Sequence, residues 1–156
     1  MNTKPLFVMV FAGDCGACIN FKSKELESVR NAFRQYKDVD VVEVHLKSMQ
    51  EKVPTNVNGR TIPDINPFIY GYPTFIFLSK QDIESGKLNP AIYGVMLSDG
   101  EPTRVPTAAP NKDTLLDWVK ENNKLKQNTN PGPKKDNTRE IKILTEASYY
   151  KLIEKQ

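Results

Sequence analysis

The feature that most constrains this chain is a junction: the unbroken apolar run Leu6-Phe7-Val8-Met9-Val10-Phe11-Ala12 stops at Gly13-Asp14, and Cys15-Gly16-Ala17-Cys18 follows at once. A run rich in β-formers, with no polar residue alternating through it, predicts a strand covered on both faces. Gly13-Asp14 is a turn signal. Beyond the cysteines, Phe21, Leu26, Val29, Phe33 and Tyr36 recur near helical spacing with charges between them. From Val39 to Leu46 the pattern changes again, with Val42, Val44 and Leu46 alternating against Glu43 and His45, which predicts a second strand. Strand, helix and strand of these lengths imply a right-handed βαβ unit with parallel strands.

Residues 48–67 are punctuated by Pro54, Gly59, Pro63 and Pro67 and read as a loop or a broken helix. Tyr72-Pro73 then opens a third strand, Thr74-Phe75-Ile76-Phe77-Leu78. A further β region is expected over Ile92 to Leu97, with Asp99-Gly100 as a hairpin turn toward Arg104-Val105. Asn111 is placed to cap a helix carrying Leu115, Leu116, Trp118 and Val119. After Asn122 the character changes. Residues 123–140 hold one strongly apolar side chain, Leu125, and the breaker run Asn130-Pro131-Gly132-Pro133. Such a segment buries too little surface to offset its ordering entropy and reads as a polar, basic linker. Residues 141–156 are apolar again at Ile141, Ile143, Leu144, Tyr149, Leu152 and Ile153, with Thr145 as an N-cap. The expected division is therefore a folded domain over 1–122, a linker over 123–140 and a partner-binding segment over 141–156.

The chain has two cysteines and one histidine. Zinc would need about four ligands, and His45 is the one soft ligand besides the pair, so no metal site is expected. A purely structural disulfide across two residues closes too short a loop to add much stability. A redox pair at a strand-to-helix junction suits the context. Cys15 would sit where the helix begins, beside unpaired backbone N–H groups and the positive end of the helix dipole, both of which favour the thiolate that attacks a disulfide. Cys18, one turn in and shielded, would resolve the mixed disulfide. Gly16 and Ala17 keep the turn small enough for a partner to approach.

The order strand, CxxC, helix, strand, then Gly71-Tyr72-Pro73-Thr74 opening another strand resembles the thioredoxin superfamily, over residues 4–122. The resemblance implies an α/β thioredoxin-like fold, a central mixed β-sheet flanked by helices, here with a C-terminal extension. It implies thiol–disulfide exchange with protein disulfides or dithiols, without a cofactor. It implies that Cys15 is the nucleophile, that Cys18 resolves, and that Pro73 is cis and lies against the pair. Gly16, Ala17, Tyr72, Pro73 and Thr74 would line the substrate site, with the backbone of Tyr72 pairing an extended substrate segment. Three positions depart from the family pattern. Asp14 stands where an aromatic residue is usual, and a carboxylate there opposes thiolate formation by an amount similar to the helix-end effect of about 0.3–1 kcal/mol. Met9 stands where thioredoxins carry a buried acid, leaving water or another group, with Glu43 a candidate, to take the Cys18 proton. Ala17 replaces a proline or histidine. The stretch between the second strand and Pro73 is also longer than in the minimal family fold.

Other features exclude or broaden function. The basic excess of residues 123–140 matches the chain's whole net charge of +3. The folded part is then close to neutral, so neither nucleic acid nor membrane is expected as a partner. No apolar run approaches the roughly 18 residues needed to span a bilayer. Lys4 followed by Leu6 to Ala12 loosely imitates a secretory signal, but cleavage after Ala12 would discard the segment leading into the cysteines. A buried strand and a cytoplasmic location, or one within a virus particle or large complex, are the expectation. His45 reads as a surface histidine, Trp118 as an anchor of the last helix, and Phe68, Ile69, Tyr70 and Tyr72 as either loop packing or a docking surface. The tail supports a reading of a different class, in which residues 123–156 tie the domain to neighbours as a structural component of a larger assembly such as a virus particle.

Overall fold

The computed structural model describes residues 3–94 and 109–128. Within them lie β1 (Leu6–Ala12), α1 (Gly16–Lys24), α2 (Leu26–Arg34), β2 (Asp40–Leu46), β3 (Asn56–Val57), β4 (Arg60–Thr61), β5 (Thr74–Leu78), α3 (Lys80–Ser85), β6 (Ala91–Ile92) and α4 (Lys112–Asn128). Four strands form one mixed sheet in the order β2-β1-β5-β6. β1 runs parallel to β2, with Leu6 opposite Asp40 and Ala12 opposite Leu46, and antiparallel to β5, with Val10 opposite Thr74. β6 adds antiparallel to β5. The chain is thus a mixed α/β protein whose sheet is flanked by helices.

Every residue of β1 is buried, because the sheet is covered on both sides. Phe7, Met9 and Phe11 join the cluster built with Cys18 and Phe21 of α1, Leu26, Val29 and Phe33 of α2, and Leu115, Trp118 and Val119 of α4. Phe7 stacks on Phe33 with ring centroids 4.7 Å apart. Leu6, Val8 and Val10 face the other way, against Val42, Val44, Ile76 and Leu78, and are roofed by Val53, Val57, Ile62 and Ile65. The alternation in β2 therefore does not divide core from solvent. Val42 and Val44 enter the second cluster, while Glu43 and His45 stand on the helical side at the sheet edge, where the exposed His45 ring stacks on Phe11 at 5.3 Å.

The long stretch before Pro73 is what forms that roof, and it is more ordered than a loop. Asn58 and Gly59, both at positive φ (51° and 84°), make the two-residue turn of the β3–β4 hairpin, the geometry that an Asn-Gly pair favours. Asn66 fastens the roof at both ends of its amide: its Oδ1 accepts from the Val53 N–H at 2.9 Å and its Nδ2 donates to the Val53 carbonyl at 3.0 Å. Phe68, Ile69 and Tyr72 pack against this cluster, whereas Tyr70 is 68% exposed.

Three boundaries differ from the sequence expectation. The single helix after the cysteines is two, separated at Glu25, whose N–H closes α1 on the Phe21 carbonyl. A short α3 follows β5, capped by Ser79. α4 continues to Asn128, into the stretch assigned to the linker from residue 123. Asn123 is buried there and donates to the Tyr36 hydroxyl at 2.9 Å, which ties the end of α4 to the end of α2. The hairpin expected around Asp99-Gly100, the remainder of the linker from residue 129 and the segment 141–156 lie outside the described residues. Among the described residues, no helix is long and apolar enough to cross a membrane.

Candidate functional site

The two cysteines lie where β1 hands over to α1. Gly13 permits the handover: its N–H donates to the Leu46 carbonyl at 2.9 Å, and a Cβ at this position would stand 2.8 Å from the Lys47 carbonyl oxygen. The chain passes too close to the β2 backbone there for any side chain. Cys15 is the N-cap of α1, in extended conformation, and its sulfur accepts from the Cys18 N–H at 3.1 Å. A thiol thus occupies the place usually held by a serine, threonine or aspartate oxygen.

Tyr72 comes to the same point from the opposite side. The Cys15 thiol donates to the Tyr72 carbonyl oxygen at 3.6 Å, and the Tyr72–Pro73 peptide is cis. The Thr74 hydroxyl donates to the Gly71 carbonyl and closes the turn around the proline. β1 pairs with β5 through Val10 and Thr74, so the sheet itself brings the cysteine turn and the Pro73 turn to one end. Gly16 and Ala17 are exposed at the first turn of α1, and Tyr72 and Pro73 are half-buried. The structure therefore gathers Cys15, Cys18, Gly16, Ala17, Tyr72, Pro73 and Thr74 from two distant stretches of sequence.

The two sulfurs are free thiols in unlike surroundings. Cys15 is 6% exposed and Cys18 is 0% exposed. Burial pushes the Cys18 thiol up to about 11, helped by its contact with Cys15, while the Ala12 N–H at 3.4 Å and the Lys22 ammonium act in the opposite direction. Cys18 therefore stays protonated at neutral pH. Burial also raises the Tyr72 hydroxyl, with Cys18 and Asp14 adding to the effect.

Two acids that the sequence sets near the pair have other attachments. Both Glu43 oxygens are engaged: Arg30 donates to them at 2.7 and 2.8 Å, and His45 Nε2 lies 2.9 Å from Oε1. Arg30 holds this carboxyl below the usual range, so Glu43 is ill suited to remove a proton from Cys18. Asp14 turns toward the loop after β2, where its Oδ1 accepts from the Met49 N–H at 2.9 Å. Met9, on β1 beside the pair, is fully buried among apolar neighbours and supplies no acid.

Met49 is the residue of this region that the sequence did not bring forward. Its carbonyl accepts from the Tyr72 hydroxyl at 3.3 Å, and its side chain is 46% exposed. No local motif marks it, because its partners lie 35 and 23 residues away. Among the described residues, no three His, Cys, Asp or Glu side chains gather into a metal-binding group. Compared with known protein families and with curated proteins, the sequence gives no match.

Proposed function

We propose that the chain is a thioredoxin-like thiol–disulfide oxidoreductase acting on protein disulfides and dithiols. The observation that carries this reading is the position of the Cys15 sulfur, between the Cys18 N–H in the first turn of α1 and the carbonyl of Tyr72, with a second and more deeply buried thiol one turn behind it. The strand order and the parallel β1–β2 pair joined through α1 and α2 agree with the same reading.

In the reducing direction, the Cys15 thiolate attacks one sulfur of a substrate disulfide. The substrate S–S bond breaks, a Cys15–substrate S–S bond forms, and the departing substrate thiolate takes up a proton. Cys18 then gives up its proton and attacks the Cys15 sulfur, which forms the Cys15–Cys18 disulfide and releases the second substrate thiol. Two electrons have passed from the pair to the substrate. The oxidising direction is the reverse, and the potential of the pair against its surroundings sets which one runs. The Cys18 N–H, which donates to the Cys15 sulfur, would hold the negative sulfur before attack and as it leaves. The raised Cys18 thiol keeps the resolving sulfur from competing for the first attack. An extended substrate segment would lie along the backbone of Tyr72, with Pro73, Thr74, Gly16 and Ala17 bordering it.

The test is insulin-disulfide reduction with dithiothreitol as terminal reductant. Wild type accelerates the reaction and Cys15→Ser does not. Equal rates for the two proteins would overturn the reading.

A further inference from the structure

Asp14 and Tyr72 hold the backbone of one residue, Met49, from two sides. Asp14 directly precedes Cys15, and Tyr72 directly precedes Pro73. The Met49 N–H donates to Asp14 Oδ1 at 2.9 Å, and the Met49 carbonyl accepts from the Tyr72 hydroxyl at 3.3 Å. The loop between is braced internally: the Lys47 N–H donates to the Glu51 carboxylate at 2.6 Å, and the Glu51 N–H donates to the Ser48 carbonyl at 3.2 Å. It is also anchored at its root, where Gly13 meets Leu46. A braced loop held at both polar atoms of one residue is a spacer between the cysteine turn and the Pro73 turn.

We propose that Asp14 is a positioning residue. Through Met49 it fixes the separation of the cysteine turn from the Tyr72 backbone, and so the width of the groove that receives a protein strand beside Cys15. This rests on the exchange reading above. It also gives the carboxylate a task other than acting on the charge of the neighbouring sulfur: Asp14 serves as a hydrogen-bond acceptor, and the groove is what it controls. A protein substrate, which must lie in the groove, depends on the spacer. A small disulfide, which needs the sulfur alone, does not.

The experiment measures kcat and KM for insulin, and the second-order rate with a small aromatic disulfide, in the full chain. Asp14→Ala raises the insulin KM by about tenfold, the scale of one lost hydrogen bond to a charged acceptor. Asp14→Asn returns the KM toward wild type, because its amide oxygen accepts the same N–H. Any effect of the lost charge appears in both variants and cancels in their ratio. Tyr72→Phe also raises the KM, and combined with Asp14→Ala adds little, because the bridge is already broken. Amide hydrogen exchange at Met49 runs faster in Asp14→Ala than in wild type and slows again in Asp14→Asn, whether or not catalysis is observed. An active wild type whose Asp14→Ala variant keeps its insulin KM overturns the spacer. So does an Asp14→Asn variant that matches Asp14→Ala in KM and in Met49 exchange. A wild type without Cys15-dependent exchange overturns the reaction, and with it the part given to Asp14.

Discussion

Among the described residues, β1 leads into α1 and β5 into α3, and these two strand-to-helix junctions are capped by different chemistry. After β5, the Ser79 hydroxyl accepts from the Asp82 N–H at 3.0 Å, and the Asp82 carboxylate accepts from the Ser79 N–H at 2.9 Å. The other Asp82 oxygen accepts from the Asn89 N–H at 2.9 Å. After β1, the corresponding positions are Cys15 and Cys18. The Cys15 sulfur accepts from the Cys18 N–H, but Cys18 reaches back past the cap to the Ala12 N–H. One junction is closed by reciprocal oxygen caps around a buried acid, an arrangement that stabilises a helix start. The other places soft, weak acceptors at the same two positions and leaves α1 burying only Cys18 and Phe21. The same three-residue spacing serves stability where it carries oxygen and, under the proposed exchange function, reactivity where it carries sulfur.

This contrast predicts opposite consequences at matched positions. The largest effect is on activity at the first junction: Cys15→Ser lowers insulin reduction to background while thermal unfolding stays at or slightly above wild type, because serine is a better N-cap than cysteine. A thermal melt beside the assay checks both halves, and a large loss of stability would break the contrast. Next, Asp82→Ala costs about 3 kcal/mol in urea unfolding, since it leaves two N–H groups without their acceptor, while the exchange rate of the remaining folded protein is unchanged. Ser79→Ala removes one cap bond and costs about 1 kcal/mol by the same measurement.

A smaller effect comes from the Cys18 thiol. Its folded-state value of about 11 lies above its ordinary value of 9.0. Below about pH 9 both folded and unfolded thiols are protonated, and the contribution to stability is constant. Between pH 9 and 11 the unfolded thiol ionises while the folded one does not, so stability declines as pH rises. Urea titrations across this range show the decline in wild type and a shallower one in Cys18→Ala. Alkylation at pH 8 modifies Cys15 in the folded protein and reaches Cys18 only after unfolding.

Legibility in the sequence followed the same division. Local signals were readable: the apolar β1 run, the CxxC spacing, Pro73 ahead of β5, and Asn111, whose Oδ1 accepts from the Asp113 and Thr114 N–H groups. What escaped depends on contacts across the fold. Glu43 looks available in an alternating strand until Arg30, from α2, occupies it. Asp14 looks like an unfavourable charge beside Cys15 until Met49 gives it a donor. The break between α1 and α2 falls at Glu25, where neither glycine nor proline announces it. The β3–β4 turn is a different case: Asn58-Gly59 carried a local hairpin signal, and the surrounding prolines obscured it.

The most direct measurement is covalent trapping. Cys18→Ala is incubated with a protein bearing an accessible disulfide, quenched with iodoacetamide and weighed intact without reductant. Exchange through Cys15 gives an adduct linked through that residue, which dithiothreitol releases and which is absent in the Cys15→Ser, Cys18→Ala double variant. Recovery of Cys15 solely as the alkylated thiol, with no protein adduct, would contradict it.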